Sequence, residues 1–112
     1  MAELKLLSRH WIVNRKGDII IGEGRSEILE NIEKTGSLNK TAKIMKMSYK
    51  GVWSKIKVTE NYLKVRLVAT DKTRGSQLTR EGKDLLEKYR LVKEKCLQAD
   101  DRIFRSVFKE GL

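Results

Sequence analysis

The stretch Gly36–Ile56, GSLNKTAKIMKMSYKGVWSKI, holds two short apolar runs, each opened by a small polar residue and joined by a brief polar step. In the first run Leu38 is apolar, Asn39 is the expected N-cap, and Ala42 and Met45 face inward over about two turns. In the second, Ser48 is the cap, Val52 and Ile56 supply the buried side with Tyr62 or Leu63, and Lys50, Lys55 and Lys57 face outward. Two short helices joined by a tight step, with lysines on the outer one, have the spacing of a helix-turn-helix.

Upstream, Ile28, Leu29 and Ile32 share one face of a helix expected over Arg25–Thr35, and Gly36 can stop it in a left-handed conformation. Before that helix, Trp11-Ile12-Val13 and Ile19-Ile20-Ile21 flank Lys16-Gly17-Asp18, which predicts a hairpin within residues 5–22. Downstream, VRLVAT reads as a strand, DKTRG as a turn and SQL as a short return, forming a second hairpin with a basic tip.

Thr79 is the expected cap of a last helix over residues 80–109, about 45 Å long at 1.5 Å per residue. Along it Leu85, Tyr89, Val92, Cys96, Ala99, Ile103 and Val107 step by fours and threes, the spacing of a coiled-coil seam. The fold class is mainly α with β-hairpins: a winged helix-turn-helix with an N-terminal hairpin and a long C-terminal dimerisation helix. Residues 1–112 read as one domain, with the helix-turn-helix and wing in 25–80.

Charge placement says more than its total of +10. Residues 37–80 hold eleven basic and two acidic side chains, whereas the flanking segments are nearly balanced. A local excess of that kind favours a polyanion, since each neutralised phosphate releases condensed counterions. The major groove, about 12 Å wide, admits one helix. The helix opening at Ser48 would therefore present Ser48, Tyr49, Lys50, Trp53 and Ser54 to base edges, although Trp53 also suits the core. Lys40, Lys43, Lys55 and Lys57 suit the phosphate backbone, Asn39 is a further candidate DNA contact, and Lys72, Thr73 and Arg74 at the wing tip suit phosphate or a minor groove.

Other chemistry finds little to build on. His10 and Cys96 are single and lie 86 positions apart, so no catalytic residues, metal ligands or cofactor are expected. No apolar run approaches the roughly 20 residues of a membrane span and the N-terminus lacks a signal-peptide core, so a cytoplasmic protein without membrane partners is expected.

The run GEGRSEILENIEKTGSLNKTAKIMKMSYKGVW resembles the N-terminal domain of the molybdenum-dependent transcriptional regulator family ModE, itself similar to the winged domain of LysR-type regulators. GEGR before the first helix, TGSL, MSYKGVW opening the recognition helix and LTREG opening the last helix carry the resemblance, which covers about Leu6 to Tyr89. It implies a homodimer held by the long helix, reading a palindromic double-stranded DNA site, with Ser48, Tyr49 and Lys50 at the family's recognition-helix opening. The wing, DKTRGSQ, is shorter than the family's, and Thr70 stands where the related pattern usually has arginine. Family members carry molybdate-binding domains after the long helix and this sequence ends at Leu112, so direct molybdate sensing is not expected and no small-molecule effector is evident within this chain. A different reading of the same basic fold is an RNA-binding or protein-interaction module.

Overall fold

The computed structural model describes residues 3–110, so both ends of the expected 1–112 unit lie outside the described residues. The order is β1 (Ile12–Val13), β2 (Ile19–Ile21), α1 (Glu23–Thr35), α2 (Leu38–Met45), α3 (Tyr49–Leu63), β3 (Val68–Asp71), β4 (Gly75–Leu78) and α4 (Arg80–Val107). This is the mainly helical winged helix-turn-helix expected, with two separate antiparallel hairpins.

The first hairpin turns on Asn14, whose Oδ1 accepts from the Lys16 and Asp18 N–H groups at 3.0 Å each, with Gly17 at φ 87°. Ile12 pairs with Ile21 and Val13 with Ile19, so the register shifts between the two residues of β1. Helix α1 starts at Glu23, two residues earlier than expected, because the Gly22 carbonyl already accepts from Ser26 at 3.0 Å. It stops at Gly36, φ 67°, as the sequence indicates.

Two local expectations need correction. The cap of α2 is Ser37, whose Oγ accepts from Lys40 N–H at 3.1 Å. Asn39 instead lies exposed in the first turn, because burying Leu38 as the first helical residue draws the helix start forward. On α3 the buried face is Val52, Ile56, Thr59 and Glu60, whereas Tyr62 and Leu63 are exposed. Tyr62 lies off that face, and Leu63 is the last residue before the left-handed Lys64 ends the helix. Thr59 is satisfied in the interior by donating to the Ile20 carbonyl at 2.7 Å.

The core gathers Ile21, Ile28, Leu29, Ile32, Leu38, Ala42, Val52, Ile56, Leu67, Val68, Leu78, Leu86 and Tyr89 from all four helices and both hairpins. The wing is seated on α1: Ser76 N–H donates to the Gly36 carbonyl at 2.9 Å, an approach that a side chain at Gly75 would obstruct. Thr79 joins the wing to α4, its Oγ accepting from Gly82 at 3.0 Å and donating to the Arg66 carbonyl at 2.6 Å.

Only the first third of α4 is held in the core. Its 28 residues span about 42 Å, longer than the body beneath. The radius of gyration is accordingly 17.3 Å, against about 13 Å for a compact chain of this length. Beyond the core, α4 touches the body through Arg90 to Glu30 and Lys93 to Glu23, both at 2.9 Å, and through Asp100 to Ser8 and His10. Among the described residues, no helix is long and apolar enough to cross a membrane.

Candidate nucleic-acid interface

The buried face of α3 determines what its other face can present. Residues 50, 54, 57 and 61 recur at helical spacing opposite Val52, Ile56 and Thr59, and Lys50, Ser54 and Asn61 are exposed. At the helix start, the Ser48 Oγ accepts from Gly51 N–H at 2.9 Å, and Tyr49 beside it is 48% exposed. The remaining first-turn N–H groups have no carbonyl within the helix to bond, and with the helix dipole they favour an anion at this end. A Cβ at Gly51 would stand 3.0 Å from the Ser48 Oγ, so the absence of a side chain there also protects the cap.

Trp53 is half-buried and packs against the core, while Lys57 Nζ lies 4.7 Å from the centre of its ring. Lys57 is also 3.3 Å from Glu60 Oε1. Of the residues expected at base edges, Ser48, Tyr49, Lys50 and Ser54 are therefore exposed, and Trp53 is divided between core and surface. Asn61 belongs with this surface too. A helix assigned from its apolar residues would have found Asn61, eleven residues after Lys50, and Lys46, left-handed at φ 55° where α2 ends, is exposed.

On α2, burial of Leu38, Thr41 and Ala42 leaves Asn39, Lys40 and Lys43 exposed. Lys72, Thr73 and Arg74 are all exposed at the wing tip. Asp71 shapes that tip by accepting from both the N–H and the hydroxyl of Thr73 at 2.8 Å. The Thr73 N–H, followed by its hydroxyl, holds the Asp71 carboxyl below its usual value of 3.8. The Thr73 hydroxyl proton is thus engaged within the wing.

The seam expected along α4 divides in two. Tyr89 does not belong to it: the side chain is buried in its own core and the hydroxyl donates to the His10 carbonyl at 2.9 Å. Leu85 is half-buried against the same core. Farther along, Cys96 and Ala99 are half-buried, while Val92, Ile103 and Val107 are 43%, 60% and 70% exposed. Leu91 and Leu97, absent from the expected seam, are exposed as well.

Comparison with known proteins agrees with this architecture. The family described as bacterial regulatory helix-turn-helix protein, lysR family, matches residues 25–83, from the first turn of α1 to the first turn of α4. The molybdenum transport protein ModE of Azotobacter vinelandii is 33% identical over 87 residues, covering 74% of this chain and 32% of that protein. The chain thus spans about a third of the length of that relative. Among solved structures, the CbnR DBD–DNA complex superposes with a TM-score of 0.60 at 23% identity, covering 76% of this chain and 98% of that one. CbnR itself, a LysR family transcriptional regulator, superposes at 0.59 with 24% identity, covering 74% of this chain and 29% of that chain. These likenesses establish the shared fold, and the family match over α1, α2, α3 and the wing places the chain among the lysR-family bacterial regulatory helix-turn-helix proteins.

Proposed function

We propose that the chain is the DNA-binding part of a cytoplasmic transcriptional regulator, acting as a homodimer on a palindromic duplex site. The observation that carries this reading is α3, whose apolar face is consumed by the core while its capped, positively polarised start presents Tyr49, Lys50 and Ser54 to solvent. In this reading α3 enters a major groove, and Ser48, Tyr49, Lys50 and Ser54 meet bases or the flanking backbone. Asn39, Lys40 and Lys43 on α2 hold phosphates, as does Lys72 on the wing, Thr73 shapes the tip through Asp71, and Arg74 reaches toward a minor groove.

Dimerisation rests on the projecting part of α4. Val92, Ile103 and Val107 form an exposed apolar stripe on a helix that has left its own core. A second copy related by a two-fold axis would cover it and place two copies of α3 on successive half-sites, which is why the site is expected to be palindromic. The relatives named above support a regulator rather than an enzyme.

Competition binding between a duplex selected from random sequence and an unselected duplex, repeated at about 50 and 200 mM salt, tests the proposal. The selected duplex should be preferred by at least about 10³-fold, and affinity for both should fall steeply with salt. Equal affinity for both duplexes, or tighter binding to RNA, would replace this reading with that of a sequence-blind or RNA-binding module.

A further inference from the structure

Glu60 is an acidic side chain on the helix richest in lysine, yet it is only 5% exposed. Its Oε2 accepts from the Leu67 N–H at 2.7 Å and the Val68 N–H at 3.3 Å, at the root of the wing. Its Oε1 is buried without an aligned hydrogen bond among the described residues, and the ammonium of Lys57 faces it at 3.3 Å. Lys57 in turn lies over the Trp53 ring at 4.7 Å, within the range of a cation–π contact. A continuous path therefore runs from the base-facing part of α3 through Trp53, Lys57 and Glu60 to the first backbone groups of β3.

We infer that Glu60 and Lys57 are positioning residues that fix the wing relative to α3, and that Lys57 serves this brace instead of a DNA phosphate. A carboxylate buried at this depth is costly unless a cation and hydrogen-bond donors meet it, so Glu60 draws the partly exposed Lys57 ammonium toward it while it accepts from the strand. The wing root has no other side-chain acceptor among the described residues for the Leu67 and Val68 N–H groups. An amide at position 60 keeps the shape and one acceptor oxygen but discards the charge that recruits Lys57, which releases the ammonium to solvent and loosens β3. The inference about Lys57 rests on the DNA-binding reading; the brace itself does not.

The test uses the full chain with Glu60→Gln, Lys57→Gln and the double variant. In the DNA-free protein, Glu60→Gln should speed amide exchange at Leu67 and Val68 about tenfold while β1 and β2 keep their protection, since bonds to charged acceptors are the stronger class. On unselected duplex DNA the same variant should steepen the slope of log affinity against log salt by about one, because a freed lysine gains a phosphate. The double variant should return the slope to that of the native chain, a reversal that loss of structure alone does not produce. Lys57→Gln by itself should leave the slope unchanged, and it keeps the test decisive if Glu60→Gln does not fold. Unchanged exchange at Leu67 and Val68 overturns the brace, and a slope flattened by about one in Lys57→Gln overturns the assignment of Lys57. If the native chain shows no salt-dependent duplex binding, the proposed function fails, while the exchange measurement still decides the brace.

Discussion

Gly82, in the first turn of α4, lies so close to Leu67 that a Cβ added to it would clash with the Leu67 carbonyl oxygen and crowd its carbonyl carbon at 3.1 Å. That carbonyl is not free to retreat, because it accepts from the Thr79 N–H at 2.9 Å. Gly82→Ala should therefore destabilise the chain by about 1–3 kcal/mol, the usual cost of overpacking, despite the better helix propensity of alanine. Gly24 is the internal control: a Cβ there meets nothing within 4 Å, so Gly24→Ala should be neutral or stabilising by up to about 1 kcal/mol. The urea midpoint should fall for Gly82→Ala and hold or rise for Gly24→Ala, and a comparable fall in both would contradict the packing argument.

The contrast between these glycines also marks what could be read from sequence. Ser48, Thr79 and Gly36 were legible as helix boundaries because capping depends on neighbours within four residues. Ser37 and Asn39 are both good caps, and the choice between them follows from burial of Leu38, which is a tertiary fact. Glu60 was illegible because its acceptor role depends on backbone seven and eight residues away, brought round by the left-handed Lys64. Tyr89 was misread because the core stripe and the apolar stripe of α4 run side by side at the same spacing, and only packing against the body separates them. The basic segment was legible as charge, but which of its lysines already face an acidic side chain of the protein was not.

Tyr89 supplies a pH signature. Burial, followed by the negative charge of Glu23 and its hydrogen bond, pushes the phenol above its ordinary value of 10.0. The folded chain therefore holds this proton more tightly than the unfolded chain. The resulting stabilisation is fully present below pH 10 and is lost as pH rises through the folded value. Tyr89→Phe should lower stability by about 1–2 kcal/mol at neutral pH, because the His10 carbonyl loses its donor. It should also remove the part of the alkaline decline that belongs to Tyr89. Melting curves at pH 7 and above pH 10 test both effects, and an equally steep alkaline decline in the variant would assign it to other groups.

The projecting half of α4 makes a prediction about assembly. Ile103 is 60% exposed in the single chain, so Ile103→Asp should leave the fold intact while placing a charge in the proposed interface. Sedimentation at micromolar concentration should show the native chain as a dimer and the variant shifted toward monomer. Affinity for the two-half-site duplex should fall with it, since linked binding of two sites can contribute about 10²–10⁴ over either alone. A native chain that sediments as a monomer would remove α4 from the dimer proposal.

Gly51 tests how closely α3 approaches its ligand. Leucine at this position gains helix propensity, about 0.7–1 kcal/mol over glycine, but its Cβ stands 3.0 Å from the Ser48 Oγ and 3.7 Å from the Met47 Cε, and it adds bulk to the half-exposed first turn. Gly51→Leu should change stability by less than about 1 kcal/mol, as lost capping offsets propensity, while weakening operator binding at least tenfold. Retained operator affinity in a stably folded variant would mean that this turn of α3 stands off the groove.

Base reading and backbone anchoring can be separated by comparing three lysines. Lys50 lies in the first turn after the Ser48 cap, on the exposed face shared with Ser54 and Asn61, where a recognition helix meets base edges. Lys43 on α2 and Lys72 at the wing tip are exposed on flanking elements, where phosphate is the expected partner. Lys50→Ala should then cost about 1–3 kcal/mol on the selected duplex and much less on unselected DNA. Lys43→Ala and Lys72→Ala should weaken both duplexes alike and flatten the salt slope by about one each, because a lost phosphate contact returns its counterion whatever the sequence. Equal losses on both duplexes for Lys50→Ala would make that lysine an anchor. Discrimination would then pass to Tyr49 and Ser54, the exposed hydrogen-bonding side chains nearest to it on the helix, since Lys57 is engaged by Glu60.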